Sequence, residues 1–279
     1  MAFLTDILWR SKVTRVSLVL FWLGLSSVSA QQIGELVQSV EIRQPASISM
    51  DRKGKIYIAD EEGNINRYDP SGNFELNYSP QKIGQIHLME GWFSIRLFAF
   101  YRDYQEYLFL DRFLTPSPVY SIPQELVGFA RVATLGNDDN IWIVDDSDIS
   151  LKKLDKNVQF LIYNIQLNNV LKDEDHDINF IREYQNQLFI NNSKEGLMVF
   201  DNLGNYKYQI PETGLEYLSF RGDELIYLKS GQLFLYDIYS QKKRSIEITS
   251  DTPYVYALSS DDFLYLIAED KMDVFKFSP

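Results

Sequence analysis

Six times along the chain a short apolar run meets a turn and is followed by a second run, which in five of the six copies closes on an apolar–aspartate pair. Lys55-Ile56-Tyr57-Ile58-Ala59-Asp60 leads to Asn64-Ile65-Asn66-Arg67-Tyr68-Asp69. The pattern returns as Ile95–Phe100 with Tyr107–Asp111, Asn140–Asp145 with Leu151–Asp155, Gln187–Asn191 with Gly196–Asp201, and Glu224–Leu228 with Gln232–Asp237. In the sixth copy, Phe263–Ala268 with Met272–Lys276, lysine stands where aspartate is expected. The closing positions 69, 111, 155, 201, 237 and 276 lie 42, 44, 46, 36 and 39 residues apart. A period near forty that holds several short alternating strands predicts an all-β, six-bladed β-propeller. A helical solenoid would show the 3.6-residue period instead.

The first copy has room for four strands, at Ala46–Met50, Lys55–Ala59, Ile65–Tyr68 and Phe74–Tyr78. Gly54, Gly63 and Gly72 sit where tight turns call for positive φ. The repeated aspartates are expected to accept backbone N–H bonds across their turns rather than to act in catalysis. The last copy stops after its third strand, whereas residues 36–42 alternate like a strand ahead of the first blade. That segment is expected to complete the sixth blade and close the ring.

Residues 1–30 read as a secretory signal. Arg10, Lys12 and Arg15 precede the apolar run Val16–Leu25, and Val28-Ser29-Ala30 resembles a cleavage site. The apolar run is short for a membrane span, so the propeller, residues 33–279, is expected to be exported without a transmembrane segment. The chain has no cysteine, hence neither disulfides nor the acceptor of a lipoprotein anchor. Export without disulfides fits a Gram-negative periplasm, with an extracellular location as the alternative. The net charge is −12, and the first thirty residues are themselves basic, so the remainder is more acidic still. Such a chain is not expected to bind nucleic acid.

The first blade resembles an NHL-type repeat: Pro45-x-x-Ile48-x-x-Asp51-x-x-Gly54-x-Ile56-Tyr57-Ile58-Ala59-Asp60, then Gly63-Asn64-Ile65-x-Arg67-Tyr68-Asp69-x-x-Gly72. The resemblance covers about 28 residues and implies a six-bladed binding platform, with lactonases and lyases among its relatives. WD-repeat proteins are less similar, since neither His87 nor His176 follows glycine.

Lactonase-type chemistry would need several oxygen ligands converging on the channel to hold calcium. By register, Glu216 and Asn179 are the two plausible ligands, too few for such a site, so neither metal nor cofactor is expected. His87 and Arg131 lie on inner strands as candidate channel contacts. The acidic run Asp173–Asp177 lacks the spacing and glycine of an EF-hand loop. The second blade crowds Trp92, Phe93, Phe98, Phe100, Tyr101, Tyr104, Tyr107, Phe109 and Phe113 into 22 residues. Alternation should bury about half of these and leave the others for a partner. Candidate binding residues are therefore Trp92, Phe93, Tyr101, Tyr104, His87, Arg131, Glu216 and Tyr254. The expected role is that of a monomeric, non-enzymatic scaffold for a protein partner in the cell envelope, such as an outer-membrane secretion, assembly or uptake complex. A carbohydrate- or small-ligand-binding propeller and a lactonase- or lyase-like enzyme are the alternatives.

Overall fold

A computed structural model describes residues 33–92, 95–157, 159–172 and 175–277. The leader expected over residues 1–30 and the candidate Phe93 lie outside them. Among the described residues, twenty-four strands form six four-stranded antiparallel sheets, the blades of a β-propeller.

Blade 1 is β2 (Pro45–Met50), β3 (Ile56–Asp60), β4 (Ile65–Tyr68) and β5 (Phe74–Tyr78), from the inside outward. Blade 2 is β6 (Leu88–Glu90), β7 (Arg96–Tyr101), β8 (Glu106–Asp111) and β9 (Tyr120–Ser121). Blade 3 is β10 (Ala130–Leu135), β11 (Ile141–Asp145), β12 (Ser150–Leu154) and β13 (Leu161–Gln166). Blade 4 comprises β14 (Ile178–Tyr184), β15 (Gln187–Asn192), β16 (Gly196–Asp201) and β17 (Tyr206–Ile210). Blade 5 comprises β18 (Ser219–Arg221), β19 (Glu224–Lys229), β20 (Gln232–Asp237) and β21 (Lys243–Glu247). Blade 6 holds β22 (Tyr256–Ser259), β23 (Phe263–Ile267) and β24 (Lys271–Lys276), and its outer strand is β1 (Leu36–Glu41), as expected from the alternation of residues 36–42. Ser39 Oγ donates to Asp273 Oδ1 at 2.5 Å, and Gly34 N donates to Lys276 O at 3.1 Å. A side chain at residue 34 would collide with that carbonyl, since its Cβ would lie 2.3 Å away, so glycine is required at this seam.

Period-2 alternation sends each strand's apolar side chains alternately to its two neighbours. In blade 2, Leu97, Ala99, Tyr101, Leu108 and Leu110 pack toward Tyr57, Ala59 and Ile65 of blade 1. Phe98, Phe100, Tyr107 and Phe109 pack the other way, onto Ala133, Ile141 and Ile143 of blade 3. Trp142, fully buried, donates Nε1–H to Glu183 of blade 4 at 2.8 Å.

The repeated aspartates do the work expected of them. Asp69 Oδ1 accepts from Ser71 N (2.8 Å) and Asn73 N (2.9 Å), and Asp201 Oδ1 from Leu203 N (2.9 Å) and Asn205 N (2.8 Å). Asp111 caps its turn through Phe113 N and Thr115 N. Each carboxylate replaces the ladder bonds lost where the chain reverses.

Candidate binding surfaces

The axis of the ring is occupied by side chains. Glu90 of blade 2 and Arg182 of blade 4 form an ion pair at 2.6 Å, although blade 3 separates their sheets around the ring. Arg182 Nη2 also donates to Met89 O at 3.3 Å. Tyr217, just ahead of β18, donates to Ile48 O of blade 1 at 3.1 Å and so skips blade 6. Contacts that pass over a blade in this way cross the axis. Arg182 lies 5.3 Å from the Phe180 ring centroid and 6.0 Å from that of Tyr217, and Tyr217 meets Tyr256 edge-on at 5.6 Å. Burial works against the charge of Arg182, but Glu90 and Tyr217 outweigh it and raise its pKa. Register counting offers Glu216 and Asn179 as channel ligands, and His87 and Arg131 as channel contacts, and misses this buried hub. Glu216 is exposed. Asn179 is engaged in the wall, accepting from Asn191 Nδ2 (2.7 Å) and donating to Leu215 O (3.0 Å). Among the described residues, no group of three or more His, Asp or Glu side chains is placed to hold a metal.

The other candidates separate by face. His87, Arg131, Glu216 and Tyr254 lie where the inner strands begin, whereas Trp92 lies beyond the opposite end of β6. His87 precedes β6, its Nε2 3.6 Å from Asp103 Oδ1. Burial, and then Arg102, lower its pKa, so the imidazole is neutral at pH 7. Arg131 is committed to structure: its guanidinium bonds Asp146 at 2.9 Å, Asp177 at 2.8 Å and Ile178 O at 2.6 Å. His176, from the acidic run, lies 3.5 Å from the same Asp146; Asp173 and Glu174 lie outside the described residues. Tyr254 Oη bonds the Asp273 carboxylate.

Trp92 is half-buried, edge-on to Tyr184 at 5.2 Å and under the Arg52 guanidinium at 5.1 Å. With Met50, Arg221, Asp262 and Phe263 it borders a hollow of about 520 Å³ at that mouth of the axis.

A second concavity lies at the rim, between blades 1 and 2. Strand β9 is two residues long, against five or six in the other outer strands. The chain before it, Thr115-Pro116-Ser117-Pro118-Val119, carries two prolines that have no N–H for a ladder. Its ties to β8 are few: Ser117 N donates to Phe109 O (2.7 Å), Phe109 N donates to Ser117 Oγ (3.1 Å), and Thr115 pairs with Asp111 at the turn. The bulged segment opens a groove of about 550 Å³ whose walls include Tyr78, Tyr101, Tyr104, Leu108, Pro80, Pro116, Pro118 and Val119, with Lys82 and Glu106 among its polar residues. Of the crowded second-blade rings, Phe98, Phe100, Tyr101, Tyr107 and Phe109 are buried, Trp92 and Tyr104 partly so, and Phe113 exposed. Burial also pushes the Tyr101 hydroxyl pKa well up, with Tyr78 beside it. Of fourteen large apolar side chains exposed among the described residues, six (Ile83, Ile95, Phe113, Val119, Tyr120 and Phe129) fall in or next to blade 2. Blade 2 and its borders therefore carry six of the fourteen, and the other eight are spread over the remaining blades.

No family model matches the chain, and no curated protein matches its sequence. Solved β-propellers share its fold. Virginiamycin B lyase from Staphylococcus aureus aligns over 86% of this chain and 99% of its own, with a TM-score of 0.60 and 10% identity. The Neurospora crassa Pan2 WD40 domain aligns over 89% and 98%, with a TM-score of 0.62 and 7% identity. A streptogramin B lyase structure gives 86%, 97%, 0.61 and 13% in the same order. Enzymes and WD40 domains thus appear together, and at these identities the likeness is one of fold.

Proposed function

We propose that the protein is an exported, non-enzymatic propeller that serves as a docking scaffold in the cell envelope, an accessory subunit of an outer-membrane secretion, assembly or uptake complex. The observation that carries this is the second-blade sector, which has a shortened outer strand, a groove and, in or next to the blade, six exposed apolar side chains, of which Val119 lines the groove. The leader-like residues 1–30, the periplasm-compatible lack of cysteine and the NHL-like first blade support the same reading. No described helix is long and apolar enough to cross a membrane, which fits attachment through a partner. The half-buried Trp92 beside its hollow favours a second reading, in which the mouth of the axis takes a saccharide or other small ligand.

Affinity purification of the tagged protein from detergent-solubilised native envelopes tests the proposal. The wild type is expected to emerge in a larger complex and the double variant Phe113→Ser/Val119→Ser to lose it. Recovery of the wild type as a lone monomer, together with glycan-array binding that disappears in Trp92→Ala, would favour the second reading over the first.

A further inference from the structure

Blade parity places Glu106, Leu108 and Tyr101 on the face of blade 2 that looks toward blade 1. Tyr104, on the turn between β7 and β8, stacks beside Tyr101 with centroids 6.4 Å apart and planes 25° apart. Its hydroxyl donates to Ile83 O at 2.6 Å, which pins the ring edge and leaves a face to the groove. The chain supplies its own ligand to that face. Lys82 Nζ sits 3.3 Å from the Tyr104 ring centroid and 3.9 Å from Glu106 Oε2. Its side chain is 63% exposed, on the connection between the blades. An aromatic face and a carboxylate within reach of the same ammonium select an organic cation over a neutral group of the same shape. Lys82 takes up only part of the groove's lining, which continues past it to Leu108 and Pro118.

We propose that this groove recognises a lysine or arginine side chain of the docking partner, and that Lys82 is a resident competitor which the partner displaces. The inference rests on the scaffold reading and names the chemistry of its partner: a basic side chain flanked by apolar or proline residues. The acidity of the chain as a whole makes a basic segment the complementary one.

The probes are a fluorescently labelled acetyl-Pro-Lys-Pro amide and its norleucine counterpart, titrated against the purified protein by fluorescence polarisation. The lysine peptide is expected to bind at least about tenfold more tightly than the norleucine peptide. Lys82→Ala should tighten lysine-peptide binding several-fold. Lys53→Ala, which removes one positive charge from an exposed turn elsewhere, should leave it unchanged. Tyr104→Leu should abolish the preference for lysine, and Tyr104→Phe, which keeps the ring, should restore it. Equal effects of Lys82→Ala and Lys53→Ala would mean diffuse attraction to an acidic protein and would overturn the inference. So would equal binding of both peptides, or full binding by Tyr104→Leu. Selective peptide binding without envelope co-purification would count against the scaffold reading alone. The converse result would count against the cation groove alone.

Discussion

Arg182 carries a charge to the axis of the ring, and its cost is offset chiefly by Glu90, which meets it at 2.6 Å. Removing one partner strands the other in a low-dielectric interior. Arg182→Met is therefore expected to destabilise the protein by about 3–5 kcal/mol. The double variant Arg182→Met/Glu90→Leu should recover most of the loss, as measured by urea unfolding. Two losses that simply add would show that the pair is not coupled. This hub was not legible in the sequence, for a physical reason. The inner strands of blades 1, 3 and 4 are irregular near their starts, with register shifts at Pro45/Ser47, Ala130/Val132 and Ile178/Phe180. A shift of one residue changes which face every later side chain takes. The shift at Ile178/Phe180 hides Arg182 from a count begun at the strand start, and Glu90 lies at the far end of β6, where only the fold brings it across blade 3 to Arg182. The turn aspartates were legible because their bonds reach only two to four residues along the chain.

At the scale of the element, β1 decides whether the sheet of blade 6 has a bare edge. It pairs with β24 from Leu36↔Phe275 to Glu41↔Lys271, and its side chains are largely exposed. Its value thus lies in ladder bonds and in covering β24 rather than in apolar burial. Deleting residues 36–42 is expected to lower Tm by about 10 °C or more and to promote self-association through the uncovered strand. An unchanged melting temperature by calorimetry would show that β1 is dispensable. Blade 2 makes the opposite use of its edge: prolines keep the chain before β9 out of the ladder, and the groove results. The ring density there was visible in the sequence and drew attention to Tyr101 and Tyr104. Lys82 and Glu106 were not, because a pairing across 24 residues, from the inter-blade connection to β8, needs the fold to bring it about.

For the whole molecule, four turn aspartates in four different blades have lowered pKa values. Burial pulls Asp69 and Asp201 upward, but hydrogen bonds from Asn73 and Asn205, side chain and backbone, outweigh it. Backbone bonds from Thr115 and Ser240 hold down Asp111 and Asp237. A carboxylate lowered on folding contributes its stability above the ordinary value of 3.8 and loses it as pH falls through its lower folded value. The ring as a whole should therefore weaken below about pH 4. Replacing Asp69 and Asp201 by Asn keeps an acceptor oxygen without the charge. That variant should begin about 1 kcal/mol less stable per site at pH 7, a figure kept small by contact with water, and lose less than wild type on going to pH 3. Equal acid losses in urea titrations would exclude the turns as the cause. The same architecture bears on traffic. With Arg182, Glu90 and Tyr217 laid across its centre, the ring offers no conduit from one side to the other. A molecule that approached one mouth along the axis would meet these side chains before it could reach the other.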